Sequence, residues 1–575
     1  MWLLTILVLL VVGVVVIVVV EDLRQKMITR PLFNRMQKIM PPMSETERQA
    51  LEAGDVWWEA DLFRGNPDWQ KLMATEFPPL SKEEQAFIDH QVETLCGMLD
   101  DFKIVQELRD LPKEVWDYLK KEKFFGMIIP KEYGGLGFSA LAHSTVVVKL
   151  ATRSMSAAVN AMVPNSLGPA ELLLRYGTEE QKNYYLPRLA VGEEIPCFGL
   201  TAPEAGSDAA AIPDTGIVCK GMHEGKEIIG LKLNFDKRYI TLAPVATVVG
   251  LAIRVVDPDH LLSEEANVGI TLALIPAKHP GVDTSRRHFP MGVAFMNGPV
   301  RGKDVFIPLD WIIGGAAELG NGWQMLMECL SVGRSISLPA LSTSVAQLSY
   351  RMTGAYAYIR KQFKVSIGSF EGVEEALARI AGFSYIIDAT RRCTAAAVDC
   401  GNKPAVASAI AKYHLTELNR KVMDHAMDIH AGRGIQLGPR NYLGLGYFGV
   451  PISITVEGAN ILTRNLIIFG QGAIRCHPYI QDEMQALAMN DVGAFDKLLV
   501  RHLRYGFRNL GATIAMGFGL TRLFVKNVTG PTAYYYQQLT RMSAALALTA
   551  DITMLMLGGS LKRKENLSAR LGDVL

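Results

Sequence analysis

The sequence predicts a mainly α-helical protein with a β domain in its middle and a membrane anchor at its start. Three observations carry that reading. Apolar residues recur at helical spacing from Ser81 to about Glu194 and again from residue 314 onward. Between them, over roughly 196–313, short β-branched runs alternate with Gly, Pro and Asp, the pattern of antiparallel strands in a sandwich or small barrel. Ahead of both, Trp2 to Val20 (WLLTILVLLVVGVVVIVVV) holds no charge. The expected organisation is an anchor at 1–22, a tether at 23–80, an N-terminal helical domain at 81–195, a β domain at 196–313, a helical bundle at 314–478 and a helical extension at 479–575.

Each element has a local cause. As a helix, Trp2–Val20 reaches about 28 Å, close to the hydrocarbon thickness of a bilayer. No basic n-region or small-x-small cleavage site accompanies it, so a retained anchor is expected rather than a signal peptide. Arg24, Lys26, Arg30, Arg35 and Lys38 follow the span and favour a cytoplasmic flank. Pro41-Pro42, Pro78-Pro79 and tryptophans 57, 58 and 69 mark the tether. "SKEEQAFIDHQVETLCGML" opens on Ser81 as a cap and carries Phe87, Ile88, Val92, Leu95 and Leu99 on one face. "ATVVGLAIRVVDP" and "VGITLALIPAKHPGV" read as strands, and "KPAVASAIAKYHLTELNRKVMDHAMDIHAGRG" as a long bundle helix.

Composition removes several functions. With 59 basic against 58 acidic side chains and no basic stripe, nucleic-acid binding is not expected. Seven cysteines without a CxxC pair argue against a disulfide framework, and eleven histidines without an HExxH-like array give no predicted metal site. No GxGxxG follows a strand, so a Rossmann domain is not supported.

Five stretches can carry chemistry. "CFGLTAPEAGSDAAAI" sets Thr201 and Ser207 among small residues, which suits close backbone approach to a ligand; composition alone favours an ordinary turn into a helix. "DKRYITLAP" places Tyr239 and Thr241 on one strand face and Ile240 on the other, suited to covering a planar ring or simply to packing. "YIRKQF" and "HAGRG" end helices with Arg360, Phe363, Gly432 and Gly434, an arrangement equally explained by helix C-caps. In "PISITVEGANILTRN", Glu457 is the only charged side chain between Arg440 and Arg464. Taken alone it is more often an exposed acid near a helix start than a catalytic one.

Together and in this order, these stretches resemble the acyl-CoA dehydrogenase family over about residues 81–475. "LTAPEAGSD" is similar to its flavin loop, "RYITLAP" to its Trp-Ile-Thr strand with Tyr239 in the tryptophan position, "RKQF" to its FAD-phosphate arginine segment, "HAGRGIQ" to its glycine loop and "VEGANILTR" to its catalytic Glu-Gly segment. With the anchor and the C-terminal extension, the resemblance is closest to membrane-associated bacterial long-chain enzymes of fatty-acid β-oxidation. It implies the family's fold, with an N-terminal helical domain, a β-barrel or sandwich and a C-terminal four-helix bundle, and FAD as cofactor. It implies α,β-dehydrogenation of a medium- or long-chain acyl-CoA to trans-2-enoyl-CoA, with Glu457 as α-proton base, Gly458 beside the substrate and Arg334 near the base.

The resemblance also assigns Thr201, Ser207, Tyr239, Ile240, Thr241, Arg360, Phe363, Gly432 and Gly434 to FAD, and Ser207 to the CoA arm. Arg360 would act across a subunit interface, so a homodimer or larger homo-oligomer is expected. Electron-transfer flavoprotein would be the acceptor, and the inner face of a bacterial cytoplasmic membrane the location. An acyl-CoA oxidase and a catalytically inactive, membrane-tethered scaffold of the same fold are the alternatives.

Overall fold

The structure is a computed structural model that describes residues 20–39, 44–166, 168–525 and 528–575. Apart from residues 20–22, the expected anchor lies outside the described residues. The chain divides into two compact units: a larger one of Phe77–Asn460 with Glu52–Asp55, and a smaller one built from the N-terminal residues to Leu51, Val56–Glu76 and Ile461–Leu575.

The larger unit opens with the helix Lys82–Phe87, where Ser81 and Glu84 form a reciprocal capping box. Glu84 also accepts from Ser139 N at 2.7 Å, which ties that cap to the start of α1 (Ala140–Arg153). After α2 (Met155–Ser166) come β1 (Pro196–Gly199), β2 (Thr215–His223), β3 (Lys226–Thr241), β4 (Val248–Val256), β5 (Asn267–Pro276), β6 (Val282–Asp283) and β7 (Asn297–Pro308), all in one sheet. β2 and β3 form a hairpin closed at His223 and Lys226, and β3 pairs antiparallel with β7. The wholly antiparallel arrangement expected from sequence does not hold, because β4 lies parallel to both β1 and β2. The β2–β3 hairpin is interposed before β4, so the chain returns to β1 in the same direction.

Three long helices follow: α3 (Gly322–Ile359), α4 (Glu371–Asp399) and α5 (Ala405–His430), then the shorter α6 (Gly444–Thr455). α3 packs on α4 and α5, and α6 on α5. The cores of the N-terminal helices and of the sheet are continuous: Leu95, Val146 and Leu150 belong to the same buried cluster as Leu233, Leu251 and Val305.

In the smaller unit the stretch expected as a tether is folded. Phe33 meets Phe495 edge-on at 5.3 Å, Trp69 Nε1 donates to Thr540 Oγ1 at 2.8 Å, and Arg24 pairs with the buried Asp496 at 2.6 Å. Its partners stand on α7 (Ile480–Ala488), α8 (Val492–Gly517) and α9 (Ala533–Leu557) or beside them, more than 450 positions away in sequence.

A charged staple joins these helices. His502 bonds Glu483 through Nδ1 (2.9 Å) and Asp551 through Nε2 (3.2 Å), so both ring nitrogens donate. His477 accepts backbone N–H from Tyr479 and Ile480 at Nδ1 and therefore donates from Nε2 to Asp551 (2.8 Å). Burial acts to lower the His502 pKa, but its two carboxylate bonds outweigh that and raise it to about 9. Among the described residues one helix, Ala533–Arg563, is long and apolar enough to cross a membrane by length and composition. One face of it is packed through Ala544, Ala547 and Ala550.

Candidate active site

Glu457 stands in the reversal between α6 and the short helix Asn460–Leu462. Val456 is extended, and Glu457 and Gly458 then take φ of +56° and +92°. A side chain in the left-handed region costs about 1–2 kcal/mol, whereas glycine accepts it freely. The reversal turns the Glu457 side chain inward, where Oε2 is buried and has no hydrogen-bond partner. The neighbouring Val456 remains 41% exposed. Desolvation raises the Glu457 pKa above the usual carboxylate range, and the positive charges of Arg334 and Lys412 offset this only in part. A desolvated carboxylate with unused lone pairs is a strong base.

Arg334, on α3, is the nearby cation named from sequence. Burial lowers its pKa while Glu457 opposes the shift, and its Nε is likewise buried without a partner. Lys412 on α5 was missed. Its Nζ donates to Ile454 O (3.2 Å), Gly458 O (2.7 Å) and Asn460 Oδ1 (2.6 Å). The signal was present: Val406, Ala409, Leu415 and Val422 trace the buried face of α5, and Lys412 falls on that face.

A second group lies at the end of β3. The β3–β7 register shifts between Lys237 and Ile240, a bulge that puts Tyr239 at φ +64° and leaves its ring 62% exposed. Ile240 points into the core. Asn297 Nδ2 donates to Tyr239 O (2.9 Å) and reaches Thr241 Oγ1 at 3.4 Å. The loop carrying Thr201 and Ser207 is held against this strand end. Arg238 N donates to Thr201 O (3.0 Å), and the fully buried Lys237 donates to Leu200 O (3.0 Å) and to Asp214 (2.5 Å). Ser207 is exposed.

Helix α2 connects the two groups. Near its middle, Asn160 Oδ1 accepts from Met296 N (3.1 Å), whose own carbonyl accepts from Leu242 N (2.8 Å) just past Thr241. At its end, Ser166 O lies so near Gly333 that a methyl there would fall 2.5 Å from it, immediately before Arg334. Six residues of helix, about 9 Å, separate Asn160 from Ser166. Asn160 Nδ2 is buried and unpartnered between them.

The remaining predicted residues are elsewhere. α3 and α5 run parallel, because Arg334 and Lys412 interact near their starts while Tyr356 stacks on His430 (4.5 Å) near their ends. Arg360 and Phe363 follow Tyr356, and Gly432 and Gly434 follow His430, so these four share one end of the bundle. Tyr356 lies 22 residues beyond Arg334, about 33 Å along a helix. Arg360 is exposed and Phe363 is 90% exposed. Gly432 is open and Gly434 is buried. Among the clefts on this unit, one is lined by Tyr350, Leu377 and Ala381 and another by Met155, Val293 and Phe448, and neither of these is lined by Glu457.

Three family descriptions match the chain: "Acyl-CoA dehydrogenase, N-terminal domain" over residues 81–193, "Acyl-CoA dehydrogenase, C-terminal domain" over 320–469, and "Acyl-CoA dehydrogenase, C-terminal, bacterial type" over 474–575. FadE10 of Mycobacterium tuberculosis, named a probable acyl-CoA dehydrogenase, is 30% identical over 389 residues, which cover 67% of this chain and 57% of that protein. The chain therefore spans little more than half the length of that relative. A 3-(aryl)acrylate reductase of Clostridium sporogenes is 30% identical over 62% of this chain and 88% of its own length. Among solved structures, butyryl-CoA dehydrogenase from Megasphaera elsdenii superposes with a TM-score of 0.60 at 22% identity, over 70% of this chain and all of that one. The chain belongs to the acyl-CoA dehydrogenase family, whose members are FAD-dependent oxidoreductases.

The residues present fit that cofactor. An aromatic ring exposed at a bulge, the Thr201 and Thr241 hydroxyls and the unpartnered Asn160 Nδ2 and Arg238 Nε together offer a face and donors to a flat polar ring system.

Proposed function

We propose that the chain dehydrogenates an acyl-CoA thioester between its α and β carbons. The observation that carries this is the Glu457 carboxylate: isolated, desolvated, without a partner at Oε2, and turned inward by a left-handed backbone. Glu457 removes the α-proton of the thioester. Its backbone N–H donates to the thioester oxygen as enolate charge develops there. Gly458, without a side chain, lets the acyl-CoA approach the backbone. Arg334 supplies positive charge beside the base. Thr201, Tyr239 and Thr241 hold FAD by its ring, Ile240 contributes only its backbone because its side chain is in the core, and Ser207 contacts FAD or the CoA arm. When bound, FAD supplies the acceptor for the β-hydride; the product is the trans-2-enoyl-CoA.

Arg360, Phe363, Gly432 and Gly434 contact the FAD of a neighbouring subunit. Their place about 33 Å along the bundle from Arg334 supports this, and with it a homo-oligomer. Electron-transfer flavoprotein is the proposed acceptor, and medium or long acyl chains the proposed substrates. Anaerobic titration of the FAD-loaded protein with acyl-CoAs of increasing length tests the reading. The flavin absorbance bleaches in the wild type, while Glu457→Gln retains FAD and bleaches about 10²-fold more slowly or worse. Undiminished bleaching in that variant refutes the assignment. Peroxide released with no added acceptor would mark an oxidase, and a protein that stays colourless with added FAD a scaffold.

We further propose that the smaller unit works against an anionic bilayer, at the inner face of a bacterial cytoplasmic membrane. α8 has two apolar faces. Tyr505, Ala512 and Met516 are buried on one, while Leu503, Phe507, Leu510, Ile514 and Phe518 are exposed on the other. The exposed stripe is flanked by Arg501, Arg504 and Arg508, and no acid occurs from Lys497 to Ala550. A basic rim beside an apolar stripe is complementary to an anionic lipid surface. Co-sedimentation with phosphatidylglycerol vesicles, lost in Phe507→Glu, is expected. Self-association in place of vesicle binding would assign the face to a second copy instead.

A further inference from the structure

Lys412 has no exposed surface, yet no carboxylate oxygen is bonded to it. Its three ammonium protons meet three oxygens, which lie before, within and after the Glu457 reversal: Ile454 O at the end of α6, Gly458 O, and Asn460 Oδ1 at the start of the next helix. An ammonium has three donors, and here every one is used on the same turn. The strap is doubled on its far side. Asn460 Nδ2 donates to Thr416 Oγ1 (3.0 Å) and Glu417 Oε1 (2.8 Å), one turn further along α5 than Lys412. A glutamate does not favour φ of +56°, and the bonds that hold this turn come from α5.

We propose that Lys412 is the positioning residue of Glu457, pinning the left-handed turn so that the carboxylate stays inward, with its charge acting on the base from behind. The proposal rests on the reading of Glu457 as the α-carbon base. The charged groups facing Lys412 are Glu457 on the turn, Arg334 on α3 and Glu417 on its own helix. Burial lowers the Lys412 pKa to about 8, a shift opposed by Glu457 and reinforced by Arg334. The strap is complete while the amine is protonated and loses one donor as pH rises past that value.

The test uses the FAD-loaded full chain and follows anaerobic flavin bleaching against pH in Lys412→Met, Lys412→Arg and Asn460→Ala, with Glu457→Gln alongside. A displaced catalytic group costs about 10- to 100-fold in rate, and that loss is expected in Lys412→Met with substrate affinity little changed. Removing the positive charge also moves the acid limb of the profile, where Glu457 ionises, to higher pH. Lys412→Arg restores part of the rate and keeps the limb near its wild-type position. Asn460→Ala slows bleaching without moving the limb, because the charge remains.

Lys412→Met with unchanged rate and limb overturns the proposal. So does a rate loss with an unmoved limb that arginine fails to rescue, which is what packing alone would give. Should Lys412→Met fail to fold, an undiminished rate in Asn460→Ala overturns it. Rapid bleaching in Glu457→Gln, by contrast, would remove the base assignment and leave the strap geometry untouched.

Discussion

Glu457→Gln should stabilise the protein while abolishing its chemistry. The carboxylate is held where desolvation raises its pKa and where Oε2 finds no donor. A group whose pKa is raised on folding favours the folded state below its unfolded value, and that contribution is lost as pH rises through the folded one. Once ionised, the wild type keeps a poorly solvated anion that a neutral amide of the same shape avoids. An unsatisfied buried group of this kind costs about 1–3 kcal/mol.

The larger unit has about 390 residues and an unfolding entropy of about 0.8 kcal/mol/K, so the gain in Tm is about 1–4 °C. Scanning calorimetry of both proteins at pH 8 and pH 4 reads it. The difference should be present at pH 8 and vanish toward pH 4, where the wild-type carboxylate is protonated too. A Glu457→Gln protein that melts below the wild type at pH 8, or by the same margin at both pH values, refutes the reasoning.

Three further outcomes are expected. Lys237→Met leaves Asp214 as an unpaired buried charge and frees Leu200 O, so the larger unit should lose about 3–5 kcal/mol and retain FAD poorly, as read by denaturant melts and flavin content. His502 has its pKa raised to about 9, so its contribution is full below about pH 6.5 and fades as pH rises through 9. His502→Gln should cost the smaller unit on the order of 2 kcal/mol at pH 6 and flatten that pH dependence in thermal melts. Mixing Glu457→Gln with Arg360→Gln subunits should restore bleaching that neither variant shows alone, because one mixed site then has both an intact base and an intact phosphate arginine. No recovery after subunit exchange would place both residues on one FAD.

How much was legible depends on the range of the interactions involved. The helix–strand–helix order could be read because each element carries its own period. Glu457 was conspicuous because its neighbours over fifty positions hold no other acid. The turn that aims it was not, since φ at 457 is set by Lys412, forty-five positions away. Trp69 reads as part of a tether because its partner Thr540 is 471 positions distant. The parallel pairing of β4 with β1 and β2 was hidden for a related reason: strand runs reveal their length and alternation but not the direction of a neighbour reached across a hairpin. Of the nine residues expected to hold FAD, five come together at β3 and its facing loop. The other four gather at the far end of the bundle, a separation that a linear string of motifs conceals.

That separation has a practical corollary. On the proposed sharing between subunits, a cofactor gripped at its ring by one polypeptide and at its pyrophosphate by another is retained only while the two remain joined. Dilution that parts the subunits should bleed the yellow colour from the preparation, and flavin occupancy should climb with protein concentration even when free FAD is held constant.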